Sequence, residues 1–335
     1  MKKRISIFLV ISIFFITLMG CGNNISTDNS KKPEENKKNV TVKIAGLKGP
    51  TSMGMIKMFE EKPSLGKGIQ SNYEVVPTPD VLISKLVNSE FDIAAIPVNA
   101  ASTIYNKTGK YKFLAMNTWG MLYIVSNGVE VDSIKDLKDK KVYVSGKGMV
   151  PDFAFRYILK ENGLNPEKDL NIDYTLSQHE ELSQALISGK IKIALLPEPF
   201  VTMVTSKNKD IKVKLNIEEE WKKINNKSSV ATGCLVVRDE FAKENPEVVD
   251  TFLKEYEKSI NWVNNNKEQA SVLIEKFGIL PKAKIAEMSI PRCSIRYMNA
   301  QDSKEKVNGF LKVLYDFTPK STGGKLPDEN FYYKK

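Results

Sequence analysis

An α/β fold with two Rossmann-like lobes is predicted by three features of the sequence. Residues 82–97 and 182–197 align without a gap, and each reads helix, short turn, apolar strand, proline. Leu82/Leu182, Leu86/Leu186, Ile93/Ile193, Ala94/Ala194 and Pro97/Pro197 coincide. Ahead of each copy lies a second match, a β-rich run followed by Lys-Gly and a helical stretch. It is residues 42–47, Lys48-Gly49 and Thr51 onward in the first copy, and residues 141–145, Lys147-Gly148 and Asp152 onward in the second. Third, residues 91–97 are apolar almost throughout, as strands of a covered parallel sheet are. Repeated strand–glycine-loop–helix–strand units build similar lobes that face each other, an arrangement suited to clamping a small ligand.

The N-terminus bears on location. Met1-Lys2-Lys3-Arg4 is a positive start, the run from Ile5 to Met19 is apolar apart from Ser6, Ser12 and Thr17, and Leu18-Met19-Gly20-Cys21 closes it. That order marks a secretory signal, and the run is shorter than the ~20 apolar residues of a spanning helix. Cys21 directly after Gly20 resembles a bacterial lipobox, in which Cys21 is lipidated and becomes the first residue. A doubly acylated Cys21 is a stable tether. Residues 22–39 are polar, with Ile25 the one apolar side chain, and read as a leash. The expected division is 1–20 signal peptide, 21–39 lipidated linker, 40–126 first part of lobe 1, 127–231 lobe 2, and 232–335 the rest of lobe 1 with C-terminal helices and tail.

Composition excludes several function classes. The hydrophobic share of 41% is ordinary for a globular chain. The formal charge of +10 comes mostly from lysines interleaved with acids. A nucleic-acid protein gathers such charge on one element, so none is expected as a partner. His179 is the one histidine, and no CxxC or Cys/His cluster exists. Metal sites built on those ligands, and Ser-His or Cys-His catalysis, are therefore not expected. No cofactor is expected either. Cys234 and Cys293 either pair or stay as buried thiols.

In chain order, residues 40–47 alternate as a strand does. Lys48-Gly49-Pro50-Thr51-Ser52-Met53-Gly54 then breaks the pattern, and Thr51 or Ser52 can cap the helix that follows. Such a loop exposes N–H groups at the carboxyl edge of a sheet, where ligands bind in open α/β folds; the plain alternative is a simple connection. Residues 73–76 form a second strand, and Thr78-Pro79-Asp80 opens the first-copy helix. Asn99 lies just past the strand 91–97 and is either a ligand contact or a helix N-cap. Strands 111–117 and 121–126 flank Thr118-Trp119-Gly120, with Trp119 either core or cleft lining. Residues 132–139 read as a short polar helix. Gly146-Lys147-Gly148-Met149 mirrors the first loop and lacks the GxxxxGK[ST] phosphate pattern. Asp152 is a helix cap or an acceptor for a ligand. Pro197 and Pro199 fix Glu198 at a strand end, where it faces a ligand or solvent. Residues 227–237 form the strand that crosses back. Residues 246–264 are an amphipathic helix with Val249, Phe252, Leu253, Tyr256, Ile260 and Val263 as its core stripe. Helices at 268–277 and 304–315 follow, and the irregular tail 323–333 pins aromatics onto a lobe.

The lipobox, the two glycine loops, Phe91-Asp92-Ile93-Ala94, residues 192–200 with Pro197-Glu198-Pro199-Phe200, and Arg238-Asp239-Glu240-Phe241 before Asn245-Pro246 together resemble a known family. They are similar to the solute-binding proteins of ABC importers, of the nitrate/sulfonate/taurine and thiamine-precursor branch with the type II periplasmic-binding fold. The resemblance covers the whole mature chain. It implies a two-crossing hinge, lobe closure on a ligand, and a monomer that delivers its cargo to a permease driven by an ATPase. It implies a lipid-anchored protein on the extracytoplasmic face of the cell membrane. By position, the cleft loops it implies are Gly49, Pro50, Thr51, Ser52 and Met53; Val98-Asn99; Thr118-Trp119; Gly148-Met149; and Pro197-Glu198. Loop N–H groups suit an anion, while Trp119, Met53 and Met149 suit a flat or apolar body. No arginine lies in these loops. The expected ligand is thus a small, sulfonate-like or heteroaromatic nutrient. Two other readings stand beside this one. An enzyme of cofactor biosynthesis on the same scaffold would use Asp152 and Glu198 as an acid/base pair across the cleft, and a ligand-sensing subunit would signal to a membrane receptor.

Overall fold

A computed structural model describes residues 40–334. The expected signal peptide, Cys21 and the linker lie outside the described residues. The chain begins with β1 (Val40–Leu47), α1 (Pro50–Met53), α2 (Ile56–Glu61), β2 (Ile69–Val76), α3 (Pro79–Val87), β3 (Ile93–Pro97), α4 (Val98–Thr108) and β4 (Tyr111–Trp119). It continues with β5 (Leu122–Asn127), β6 (Lys141–Val144), α5 (Val150–Glu161), β7 (Asn171–Asp173), α6 (His179–Ile187), β8 (Ile193–Pro197), α7 (Phe200–Lys207), β9 (Ile211–Asn216) and α8 (Ile217–Ile224). It ends with β10 (Ala231–Arg238), α9 (Asp239–Glu244), α10 (Pro246–Asn265), α11 (Lys267–Lys276), α12 (Ala283–Ser289), β11 (Ile295–Asn299) and α13 (Ala300–Phe317).

The strands form a 6-stranded sheet, β11-β4-β10-β3-β1-β2, and a 5-stranded sheet, β7-β6-β8-β5-β9. With β11 set aside, the orders correspond strand for strand, so β3 matches β8, β1 matches β6 and β10 matches β5. The pairings repeat as well. β1 runs parallel to β2 and β3, and β6 runs parallel to β7 and β8. β10 lies antiparallel between β3 and β4, as β5 does between β8 and β9. The duplicated sequence pattern is therefore a duplicated sheet. Its shared apolar residues fill the same role, with Leu82, Leu86, Leu182, Leu186, Ala94 and Ala194 all fully buried.

The first crossing differs from its expected place at 126/127. β5 pairs with β8 and β9, so the chain changes lobes at Gly120-Met121. A strand that is apolar on both faces fits either sheet, and its sequence does not say which. The return crossing comes at residues 225–230, one residue before the expected boundary. Residues 132–139 hold only a 3-10 turn, Ile134–Leu137, closed by reciprocal Ser133 and Asp136 bonds. β11 was not expected. It is a five-residue edge strand opposite β4, too short for a readable period.

The crossings are fastened to each other. The Gly120 N–H donates to the Val230 carbonyl at 2.8 Å. The buried Glu218 carboxylate accepts from the Ser229 hydroxyl and, at 2.8 Å, from the Val230 N–H. Gly120 sits at φ 36°, and a Cβ there would fall 2.2 Å from the Glu218 Cβ, so only glycine fits. Two further contacts bridge the lobes. On one side α12 meets α7; on the other, α13 packs on α5 and α8, with Phe317 stacked on Phe153 at 5.4 Å and Phe310 against Trp221 at 5.6 Å. The α10 stripe Val249, Phe252, Leu253, Tyr256, Ile260 and Val263 is buried, as its period required. Phe331 and Tyr332 of the tail pack on Phe113. Cys234 and Cys293 are free and buried. Among the described residues, no helix is long and apolar enough to cross a membrane.

Candidate functional site

The parallel strands β1 and β3 in one sheet, and β6 and β8 in the other, end on the edges where the crossings join the lobes. The loops that follow them supply the candidate residues. In lobe 1, Gly49 adopts φ 107° and its N–H donates to the Ile279 carbonyl at 3.1 Å, which ties the loop to the end of α11. Pro50 is buried at the first turn of α1. The half-buried Thr51 gives its carbonyl to the Asn117 amide at 3.2 Å. Thr118 is fully buried, and its hydroxyl donates to Asn117 Oδ1 at 2.9 Å. The Thr232 hydroxyl donates to the Thr118 carbonyl at 2.8 Å. A Cβ on Gly233 would lie 2.7 Å from Asn117 Oδ1 and 3.0 Å from the Thr51 methyl, so glycine lets these groups close up. Thr51, Asn117, Thr118, Thr232 and Gly233 are thus one cluster at the lobe 1 edge. Asn99 is half-buried two residues inside α4, whose N-cap is Pro97; its side chain caps nothing.

Two lobe 1 residues expected at the cleft are buried instead. Ser52 is buried under β1, its Oγ 2.5 Å from where a Gly46 Cβ would stand. Met53 is buried in the core beside Ile56 and Phe59. A four-residue helix leaves no period from which to read the inward side. Trp119 is only 1% exposed, and its indole N–H donates to the Arg296 carbonyl at 3.2 Å. Its ring carries the Arg296 guanidinium at 5.2 Å and lines a cavity of about 350 Å³ with Glu218, Asn264 and Ile290. That cavity is lined from β11 and α8, with no residue of the loops after β1 and β6.

In lobe 2, Gly146 and Gly148 adopt φ 69° and 73° and carry Met149, which is 62% exposed. Asp152 holds this loop from below. Its carboxylate accepts from the Gly148 N–H at 2.8 Å, the Tyr174 hydroxyl at 2.6 Å and the Arg156 Nε at 2.9 Å. Burial first, and Asp152 second, push the Tyr174 phenol up. Pro197 is buried at the end of β8. Glu198 is also buried, which differs from both roles expected of it. Its carboxylate accepts from the Thr202 N–H and hydroxyl at 3.1 and 3.0 Å, and from the Arg292 guanidinium. Arg292 precedes β11, so this pair joins lobe 2 to lobe 1. It is secured by Arg292 to the Thr202 hydroxyl at 2.6 Å and by the Tyr123 hydroxyl to the Arg292 carbonyl at 2.9 Å. Burial raises the Glu198 carboxyl pKa, while Arg292 pulls it down.

Sequence reasoning missed Asn117, Thr232, Gly233 and the lobe 2 group Ser145, His179 and Phe200. Ser145 follows β6, His179 opens α6 and Phe200 opens α7. His179 Nδ1 is 2.7 Å from the Ser145 hydroxyl, and its ring lies 5.1 Å from Phe200. Asn117, Thr232 and Gly233 lie within three residues of a strand terminus, and Ser145, His179 and Phe200 lie in the connections that follow strands, which was the available signal. The site as built offers hydroxyl, amide, imidazole and backbone groups. Asp152 and Glu198 both belong to lobe 2 and both are tied up, so they do not face each other across a gap as an acid/base pair. Among the described residues, no group of three or more His, Cys, Asp or Glu could hold a metal ion.

The sequence profile of a family described as "ABC transporter, phosphonate, periplasmic substrate-binding protein" matches residues 58–280. No curated protein matches the chain in sequence. A crystal structure of an ABC transporter protein from Parabacteroides distasonis is 26% identical, with a TM-score of 0.76 over 89% of this chain and 100% of that one. The periplasmic aliphatic sulphonate binding protein SsuA from Escherichia coli is 14% identical, with a TM-score of 0.70 over 88% and 92%. The periplasmic nitrate-binding protein NrtA from Synechocystis is 15% identical, with a TM-score of 0.56 over 85% and 84%. The last two likenesses are of fold.

Proposed function

The chain belongs to the family of periplasmic substrate-binding proteins of phosphonate-type ABC transporters, and from that premise we propose that it captures a small organic solute between its lobes for an ABC permease. The solute passes on chemically unchanged, so the protein is a carrier and not an enzyme. The observation that carries this reading is the matched pair of sheets, in which the corresponding strands β1 and β6 each run into a glycine loop at the edge where the crossings join the lobes. Cys21 carries the lipid that keeps the protein, as a monomer, on the outer face of the membrane.

The polar chemistry of the edges narrows the solute. Arg156 is engaged by Asp152 and Glu167, Arg238 by Asp92 and Glu240, and Arg292 by Glu198. Arg296 lies over Trp119, in the cavity lined from β11 and α8. Recognition then rests on neutral donors, helix ends and the exposed loop lysines Lys48 and Lys147, and a helix end contributes about 0.3–1 kcal/mol toward an anion. That suits a neutral or singly charged head, as on a sulfonate or a polar heteroaromatic ring, better than a doubly charged phosphonate. Thr51, Asn99, Asn117, Gly148 and Met149 are the contacts we assign, with Asp152 behind the loop.

The test is calorimetry of the chain from residue 22 with alkanesulfonates, alkylphosphonates, nitrate and aminopyrimidines. Binding by a sulfonate or pyrimidine, followed by its recovery unchanged in mass, supports the reading. Preference for the phosphonate overturns the charge argument. Conversion of the solute overturns the carrier role. The tether is tested separately, because Cys21→Ala should release the protein from the membrane fraction.

A further inference from the structure

The lobe 2 edge holds one side chain to which the reading above gives no task. His179 is the first residue of α6, whose N-cap is Gln178 with no side-chain cap. Leu182 and Leu186 supply the packing of that helix, so the imidazole is not needed for either purpose. Its surroundings come from three different strand ends. Ser145 directly follows β6, His179 opens the helix after β7, and Phe200 opens the helix after β8. β6, β7 and β8 run parallel, so these connections leave the sheet at the edge where the first crossing enters it. The ring is half-buried, with Nδ1 taken by Ser145 at 2.7 Å and one side of the ring against Phe200 at 5.1 Å. Nε2 has no hydrogen-bond partner among the described residues.

We propose that His179 is a ligand-contacting residue of lobe 2, offering Nε2 to the polar group of a solute whose flat or aliphatic body lies against Phe200. The inference rests on the solute-capture reading and adds to it a neutral, orientable hydrogen-bonding group. The Ser145 hydroxyl pairs with either tautomer. When its hydroxyl donates to Nδ1, Nε2–H donates to a sulfonate or carbonyl oxygen; when it accepts from Nδ1–H, Nε2 accepts from a ring N–H or amino group. Burial favours the uncharged ring, which keeps both options open at neutral pH.

His179 is the one histidine in the sequence, so a single imidazole signal in the NMR spectrum of the whole mature chain is its own assignment. The probes are ethanesulfonate, methylphosphonate and 4-amino-2-methylpyrimidine, each first tested for raising Tm. With a probe that does, the ring nitrogen shifts should move to one fixed tautomer on saturation. His179→Ala should weaken that probe about tenfold, the size of one lost hydrogen bond. His179→Gln, which keeps a donor and an acceptor, should recover part of the loss. A probe that raises Tm without moving the imidazole signal, or that binds His179→Ala as tightly as wild type, overturns this inference and leaves solute capture standing. If no probe raises Tm, both fall together.

Discussion

Asp152 shows how much of the site depends on a single carboxylate. It accepts from the Gly148 N–H, Tyr174 and Arg156 while almost wholly buried. Asp152→Asn keeps the shape but loses the charge beside Arg156. Urea unfolding should show a loss of about 1–3 kcal/mol, and ligand affinity should fall severalfold as the loop loosens. His179 contributes a pH dependence with a definite sign. Burial holds its imidazole pKa below the ordinary value, against the pull of Glu180. The unfolded chain therefore takes up that proton at a higher pH than the folded one. Its contribution to stability is complete above about pH 6.5 and is lost as the pH falls through the window just below. Unfolding midpoints followed from neutral to mildly acidic pH should show the decline, and His179→Gln should flatten it. At this scale the sequence was partly readable. Thr51, Gly148 and Met149 lie at the strand ends where the loop argument put them. Ser52 and Met53 turn into the core instead, and Trp119 takes the core alternative of its two, because which way a side chain turns is decided by packing. Glu198 was unreadable for another reason, since its partner Arg292 lies 94 residues away.

The elements carry the links between the lobes. The turn after α12 brings Arg292 to the start of α7, where Glu198 waits with its side chain fully covered. Arg292→Ala leaves that carboxylate without its cation. Arg292 is 35% exposed, so solvent tempers the penalty, and a loss of about 1–3 kcal/mol in urea unfolding is expected. Gly120→Ala should cost about 2 kcal/mol or more, since a left-handed backbone and the Glu218 side chain both oppose a Cβ. The duplicated pattern and the long α10 stripe were legible because each repeats its signal over several turns or strands. The assignment of β5 and the existence of β11 were not. The first is a question of pairing, and the second is five residues on an edge.

In the whole molecule, two sheets of like order are joined by two fastened crossings and by helix contacts on both flanks. Capture of a solute should narrow the gap between the edges. Small-angle scattering should report a smaller radius of gyration at saturation, with stabilisation of about 2.7 kcal/mol at a hundredfold excess over Kd. A ligand that stabilises without compaction would argue for a rigid receptacle. The sheet order also dictates a schedule for assembly. Lobe 2 emerges from synthesis as one unbroken stretch, with β5 to β9 all present before α8 is finished. Lobe 1 has no such independence. Its β3 gains its second neighbour only when β10 arrives, after more than a hundred further residues have been made. Until then β3 offers a bare apolar edge of the kind that recruits stray strands. The late strand is therefore the point at which a nascent chain is committed or lost, and a stop just before Ala231 should yield a folded second half attached to a first half that aggregates.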